Sequence, residues 1–175
     1  MHRFYSLLFC ILSFGTNSLF AQLSGTYTIG SGGNYSSFSA AVTALSSSGV
    51  NGAVTFQVLA GTYNEQILIS SISGTSASNK VTFQAQSNNA ADVILAYSAS
   101  STTDNYVIRL NSAQYITFNN LTITAVGTTY SKVIEALNGS HDITLSNSVL
   151  NGYAAATSSS NQYLFGRTET QPLYR

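Results

Sequence analysis

The sequence predicts an all-β fold: a right-handed parallel β-helix of about four rungs with an N-terminal capping helix. Three observations predict it. A 27-residue pattern recurs without a gap, short stretches alternate apolar and polar residues at the strand period, and the composition is that of strands rather than helices.

The composition also sets bounds. Of 175 residues only 7% are charged and 44% are hydrophobic, with 11 tyrosines, one proline and no tryptophan. Ser, Thr, Asn, Gln and Gly carry the polar share, so a core can form and a disordered tract is not indicated. The formal net charge is zero, so no general attraction to nucleic acid or anionic lipid is expected.

The elements follow in chain order. Arg3 precedes an apolar run over residues 7–12 that reaches a small-residue exit at Ala21. This is the pattern of an export signal over 1–21, cleaved near Ala21. Ser13, Thr16, Asn17 and Ser18 interrupt the run too often for a membrane span. Stable membrane insertion after cleavage is therefore not expected. Cys10, the only cysteine, falls inside this segment. The mature chain is then expected to lack a disulfide, a thiolate metal site and a cysteine nucleophile.

Residues 22–52 read as an N-terminal cap. Phe38, Ala41, Val42 and Leu45 recur at the spacing of one helix face. Ser36 or Ser37 can cap the start of this helix and Gly49 its end. Such a helix would plug the first open end of a coil, where apolar interior and strand edges are otherwise bare.

Residues 53–152 read as the rungs. Strands are expected over 54–59, 66–69, 81–85 and 93–97, separated by loops of small polar residues at 73–79 and 98–103. The stretch 110–123 then repeats at 137–150, with Leu110/Leu137, Asn111/Asn138, Ile116/Ile143, Thr117/Thr144 and Asn120/Asn147 matching at one offset. Stacking these rungs predicts leucine over leucine and two asparagine ladders, Asn111 over Asn138 and Asn120 over Asn147. Arg109 and Glu135 are 26 apart, one short of the repeat. A one-residue shift would make them a surface ion pair worth about 0–1 kcal/mol. Residues 153–175 read as a polar tail or a truncated next rung. The chain is expected to be a piece of a longer solenoid. The alternative is that residues 163–165 fold back as a minimal cap.

The stretch Gly32-Gly33-Asn34-Tyr35-Ser36-Ser37-Phe38, followed by Val54-Thr55-Phe56-Gln57-Val58-Leu59-Ala60-Gly61-Thr62-Tyr63-Asn64-Glu65, resembles the opening of the pectin-lyase-like superfamily. It is nearest in character to pectin methylesterases and to large secreted β-helix proteins of Bacteroidota. The resemblance spans roughly residues 30–150. It implies that this opening builds the cap and first coil rather than an active site. Gly61 would then serve a positive-φ turn that Tyr63 and Glu65 fix.

Chemistry is sparse. The aspartate and arginine set that the resemblance to pectin methylesterases implies has no matching motif here, so no catalytic residue is carried over. The acidic residues Glu65, Asp92, Asp104, Glu135, Asp142 and Glu169 are scattered, and shifting Asp142 back one rung lands on Tyr115, so no carboxylate ladder forms. His141 is expected at an exposed turn. Asn34, Asn120 and Asn138 head glycosylation sequons of a kind expected by chance in so Asn-, Ser- and Thr-rich a chain. No catalytic, cofactor-binding or metal-binding residue is assigned, and no cofactor is expected. The expectation is a secreted or cell-surface β-helix acting in adhesion or carbohydrate contact without catalysis, with polysaccharide as partner and the oligomeric state left open. The alternative is the N-terminal part of a polysaccharide-active enzyme, of the pectin methylesterase or polysaccharide lyase kind, whose catalytic rungs are missing.

Overall fold

The computed structural model describes residues 21–153 and 161–168. The expected export signal, apart from Ala21, and most of the expected tail lie outside them.

Strands fall into three parallel sheets. The first holds, in order, β1 (Leu23–Ile29), β2 (Val50–Val58), β5 (Val81–Ala85), β8 (Gln114–Asn119) and β11 (His141–Ser146). The second holds β3 (Gly61–Asn64), β6 (Val93–Tyr97), β9 (Thr122–Ala125) and β12 (Val149–Asn151). The third holds β4 (Ile67–Ser70), β7 (Ile108–Asn111), β10 (Ser131–Leu137) and β13 (Gln162–Thr168). Every pairing between neighbours is parallel. The chain visits the three sheets in turn and returns one floor on, which is a parallel β-helix.

The first sheet has five strands, one more floor than the four expected. The added strand is β1. Its pairing with β2 shifts register between Leu23 and Gly25, and Gly25 sits at φ 86°. That bulge interrupts the apolar–polar alternation by which strands are recognised in a sequence.

Helix α1 (Phe38–Ser48) follows β1 and takes the place of two strands in the first rung. Ser37 caps it, accepting from the Ala40 N–H at 3.1 Å. Gly49, at φ 65°, ends it by donating to Leu45 O. The expected apolar face is the buried one: Phe38, Ala41 and Leu45 are wholly covered. The helix packs against β4, the edge strand of the third sheet. Phe38 meets Tyr63 of β3 edge-on, with centroids 5.2 Å apart. The helix therefore covers the first exposed edges of both remaining sheets.

The interior is built from stacks of like residues. Tyr27, Phe56, Phe83, Phe118 and Leu145 share one register position through the five floors. The Phe56–Phe83 and Phe83–Phe118 rings stack with centroids 4.9 and 5.6 Å apart and planes nearly parallel. Each such pair adds about 0.5–1.5 kcal/mol beyond burial. Beside them run Val54, Val81, Ile116 and Ile143, and Leu95, Ile123 and Leu150.

The leucine-on-leucine expectation fails in detail. In the third sheet Leu110 pairs with Ala136, and Leu137 with Asn111, an offset of 26. In the first sheet His141 pairs with Gln114, an offset of 27. The extra residue is absorbed in the intervening turn. One rung turns on Ser112 alone at positive φ, and the next on Asn138 and Gly139 together. The Asn111–Asn138 ladder forms even so, with Asn138 Nδ2 donating to Asn111 Oδ1 at 2.6 Å. At the other corner Asn120 and Asn147 both adopt left-handed backbone, φ 53° and 50°. There Asn147 Nδ2 donates to Asn119 Oδ1 at 3.1 Å rather than to Asn120.

The tyrosine and glutamate of the opening segment divide their work. Tyr63 Oη donates to Leu59 O at 2.8 Å and so holds the turn into β3. Gly61 opens that strand at a positive φ of 158°, a conformation that residues with side chains rarely adopt, as the resemblance implied. Glu65 reaches away to the helix instead. Its carboxylate accepts from the Phe38 and Ser39 N–H groups at 3.1 and 2.9 Å and from Ser39 Oγ at 2.7 Å.

At the far end β13 pairs in parallel with β10. Residues 163–165 thus continue the coil as a strand and do not fold back. Asn105, wholly buried, ties three floors together. It accepts from the Lys132 N–H at 3.1 Å and donates to Asn161 O at 2.7 Å.

Candidate functional site

Two places on the coil surface gather polar chemistry. The first is on the third sheet. The one-residue shift that separates Leu110 from Leu137 sets Glu135 directly over Arg109. Glu135 Oε2 lies 2.6 Å from Arg109 Nε, and Oε1 lies 2.9 Å from Lys132 Nζ and 2.8 Å from Tyr163 Oη. The Arg109 guanidinium also stacks over the Tyr106 ring at 3.8 Å.

The expected surface pair is therefore a buried network, with Glu135 only 5% exposed. Burial would raise the Glu135 carboxyl, but hydrogen bonds from Lys132, Tyr163 and Arg109 outweigh it and hold the group below its ordinary value. Burial and the carboxylate together push the Tyr163 phenol far above the usual tyrosine range. A carboxylate with both oxygens engaged by cations and a phenol is a poor general base. This cluster pins β7, β10 and β13 to one another.

The second place is the outer face of the first sheet. Because Val81, Phe83, Ile116 and Phe118 point inward and are fully covered, their neighbours point out. Register then sets Thr26, Thr55, Thr82, Thr117 and Thr144 in one line across all five floors. A parallel line holds Thr28, Gln57, Gln84, Asn119 and Ser146. On the other side lie Lys80, Tyr115 and Asp142, each one residue before an inward-facing aliphatic of the next pairing.

A groove of about 330 Å³ opens here, lined by Ala77, Lys80, Tyr115, Thr117, Asp142 and Thr144 together with Ile143. Tyr115 and Asp142 both hold left-handed backbone, φ 58° and 54°, which costs of order 1 kcal/mol or more per non-glycine residue. His141, exposed as expected, places Nδ1 2.7 Å from Asp142 Oδ2. Its ring meets Tyr115 edge-on at 5.9 Å.

The groove wall at Ala77 belongs to the loop over residues 73–79. Asn79 Nδ2 donates to Gly74 O at 3.2 Å, and the Asn79 N–H to Ser76 Oγ at 3.1 Å. Gly74, at φ 88°, sits so close to the backbone that a Cβ there would fall 1.8 Å from Val50 O.

Hydroxyls, amides and one aromatic ring, with one cation and one anion, suit a ligand that offers many hydroxyl groups and an apolar ring face. Among the described residues no group of three or more His, Cys, Asp or Glu side chains could hold a metal ion. Among them too, no helix is long and apolar enough to cross a membrane.

The threonine line was not anticipated from the sequence, because the floors are unevenly spaced: Thr55 to Thr82 and Thr117 to Thr144 are 27 apart, but Thr26 to Thr55 is 29 and Thr82 to Thr117 is 35. A better signal is the recurring triad: Val54-Thr55-Phe56, Val81-Thr82-Phe83, Ile116-Thr117-Phe118 and Ile143-Thr144-Leu145. Aligning on the triad rather than on a fixed period recovers the register.

No protein-family model and no curated protein matches the chain. Among solved structures, the pectin methylesterase from Aspergillus niger is similar in two forms. Its penultimately deglycosylated form shows a TM-score of 0.44 at 16% identity, covering 84% of this chain and 66% of that one. Its deglycosylated form shows a TM-score of 0.46 at 14% identity, covering 88% and 70%. The chain thus spans about two thirds of the length of that enzyme. At this identity the likeness concerns fold and not chemistry, and the parallel coil itself rests on the strand register above.

Proposed function

We propose that this is an exported β-helix that contacts polysaccharide through the outer face of its first sheet and performs no catalysis in this chain. The observation that carries the proposal is the groove in which Tyr115, Lys80, Thr117, Thr144 and Asp142 converge. A few convergent polar groups beside an aromatic ring can fix the orientation of a bound ligand. The engagement of both Glu135 oxygens supports the non-catalytic part, since this carboxylate, the most buried among the described residues, has no oxygen left to act as a base.

The test is a glycan array probed with the purified protein, paired with assays for ester hydrolysis and chain cleavage on pectin. Binding to one or more glycans, lost in Tyr115→Ala with the circular dichroism spectrum unchanged, and no turnover, is the expected result. A folded protein that binds no glycan overturns the proposal.

The second reading, part of a polysaccharide-active enzyme, has the His141–Asp142 contact in its favour. Turnover that disappears in His141→Ala would establish it.

A further inference from the structure

The face carries more order than a local groove requires. The threonine line is unbroken over five floors, and the flanking line offers a hydroxyl or an amide on every floor. Parallel strands stack at about 4.8 Å, so a ligand lying along the coil axis meets the same pair of groups at each step. A ligand lying along a strand meets a threonine, then an amide, then a corner.

Neither line contains a charge. The only charged groups that line the groove are Lys80 and Asp142, one of each sign, an arrangement that gives a polyanion no net attraction. Tyr115 supplies a ring face near one end of the line. At the opposite end Asn34 leans over Thr28, its Oδ1 2.8 Å from the Thr28 N–H and 3.0 Å from the Thr28 hydroxyl. The flanking line is thus engaged at the first floor, and at its far end Asn119 Oδ1 accepts from Ser146 Oγ and Asn147 Nδ2 at 3.0 and 3.1 Å, with Gln57 and Gln84 between.

We infer that the ligand of this face is an uncharged, extended, β-linked polysaccharide that lies along the coil axis with one sugar residue over each rung. The inference rests on the binding function proposed above and specifies its ligand. An extended β-1,4-linked chain advances by nearly one rung spacing per sugar. Its ring hydroxyls then meet threonine hydroxyls and Gln or Asn amides in repeat, while a ring face rests on Tyr115.

Isothermal titration with β-1,4-linked gluco-oligosaccharides of two to six residues tests this, with oligogalacturonates of the same lengths as the charged comparison. Affinity is expected to rise with each added sugar up to the number of rungs and then level off, and to exceed that for the charged series. Thr82→Lys and Thr55→Lys, each checked for unchanged circular dichroism, should weaken binding of the pentasaccharide by about tenfold and leave the disaccharide unaffected. Affinity independent of length, or lysine variants without effect while Tyr115→Ala removes binding, would show a local pocket and overturn the inference, leaving the binding function intact. Stronger binding of oligogalacturonate would overturn its uncharged part. Absence of binding to any saccharide would overturn both.

Discussion

Two glutamates show how single residues hold this coil. Glu65 joins the helix to the second rung, because its carboxylate serves the N–H groups of Phe38 and Ser39 that no helical carbonyl can reach. Its negative charge also faces the positive end of the helix dipole. Glu65→Ala should cost about 1–2 kcal/mol, measured by denaturant unfolding. Glu135 is the acceptor of a three-donor network, and removing it leaves two cations and a phenol half-buried without their acceptor. Glu135→Gln should cost about 3 kcal/mol at neutral pH. The lowered Glu135 carboxyl makes its contribution above the pKa of a glutamate in the unfolded chain. That contribution is lost as pH falls through the lowered folded value. Thermal unfolding as a function of pH should show the parent protein losing stability on the acid side, with a flatter acid limb in Glu135→Gln. The Arg109–Glu135 pairing was legible from spacing. Its burial was not, because the covering groups Lys132 and Tyr163 come from the neighbouring positions and the next floor.

At the scale of elements, helix α1 was the most readable part. Its apolar face, its Ser37 cap and its Gly49 end all follow from local side-chain chemistry. Strand β1 was the least readable, since a bulge at Gly25 hides the alternation and its rung closes with a helix. Loop 73–79 shows the same limit. Its small polar residues mark a loop, but only the packed coil shows that Gly74 is wedged against Val50 O. Gly74→Ala combines a positive φ with a backbone clash and should destabilise by about 2 kcal/mol or more. Because the loop forms a groove wall at Ala77, the same variant should also weaken glycan binding. The aromatic stack gives a second check on packing. Phe83 is wholly buried between Phe56 and Phe118. Phe83→Ala should cost about 3–5 kcal/mol, read as a fall in the unfolding midpoint.

For the whole molecule, repetition does two jobs at once. Inward residues stack into a continuous core, and the outward residues between them are thereby placed in straight lines. The polar face of the first sheet is a by-product of the core register, so it is highly ordered although no catalytic motif marks it in the sequence. The binding face requires the threonines to be in line, and labels at the two ends of that line measure it. Nitroxides on Thr26→Cys and Thr144→Cys, in a Cys10→Ser background, should give a pulsed dipolar distance distribution centred near ~19 Å, four strand spacings, before allowance for the label arms. A distribution centred beyond about twice that value, or one too broad to define a centre, would contradict the parallel coil and the binding face built on it.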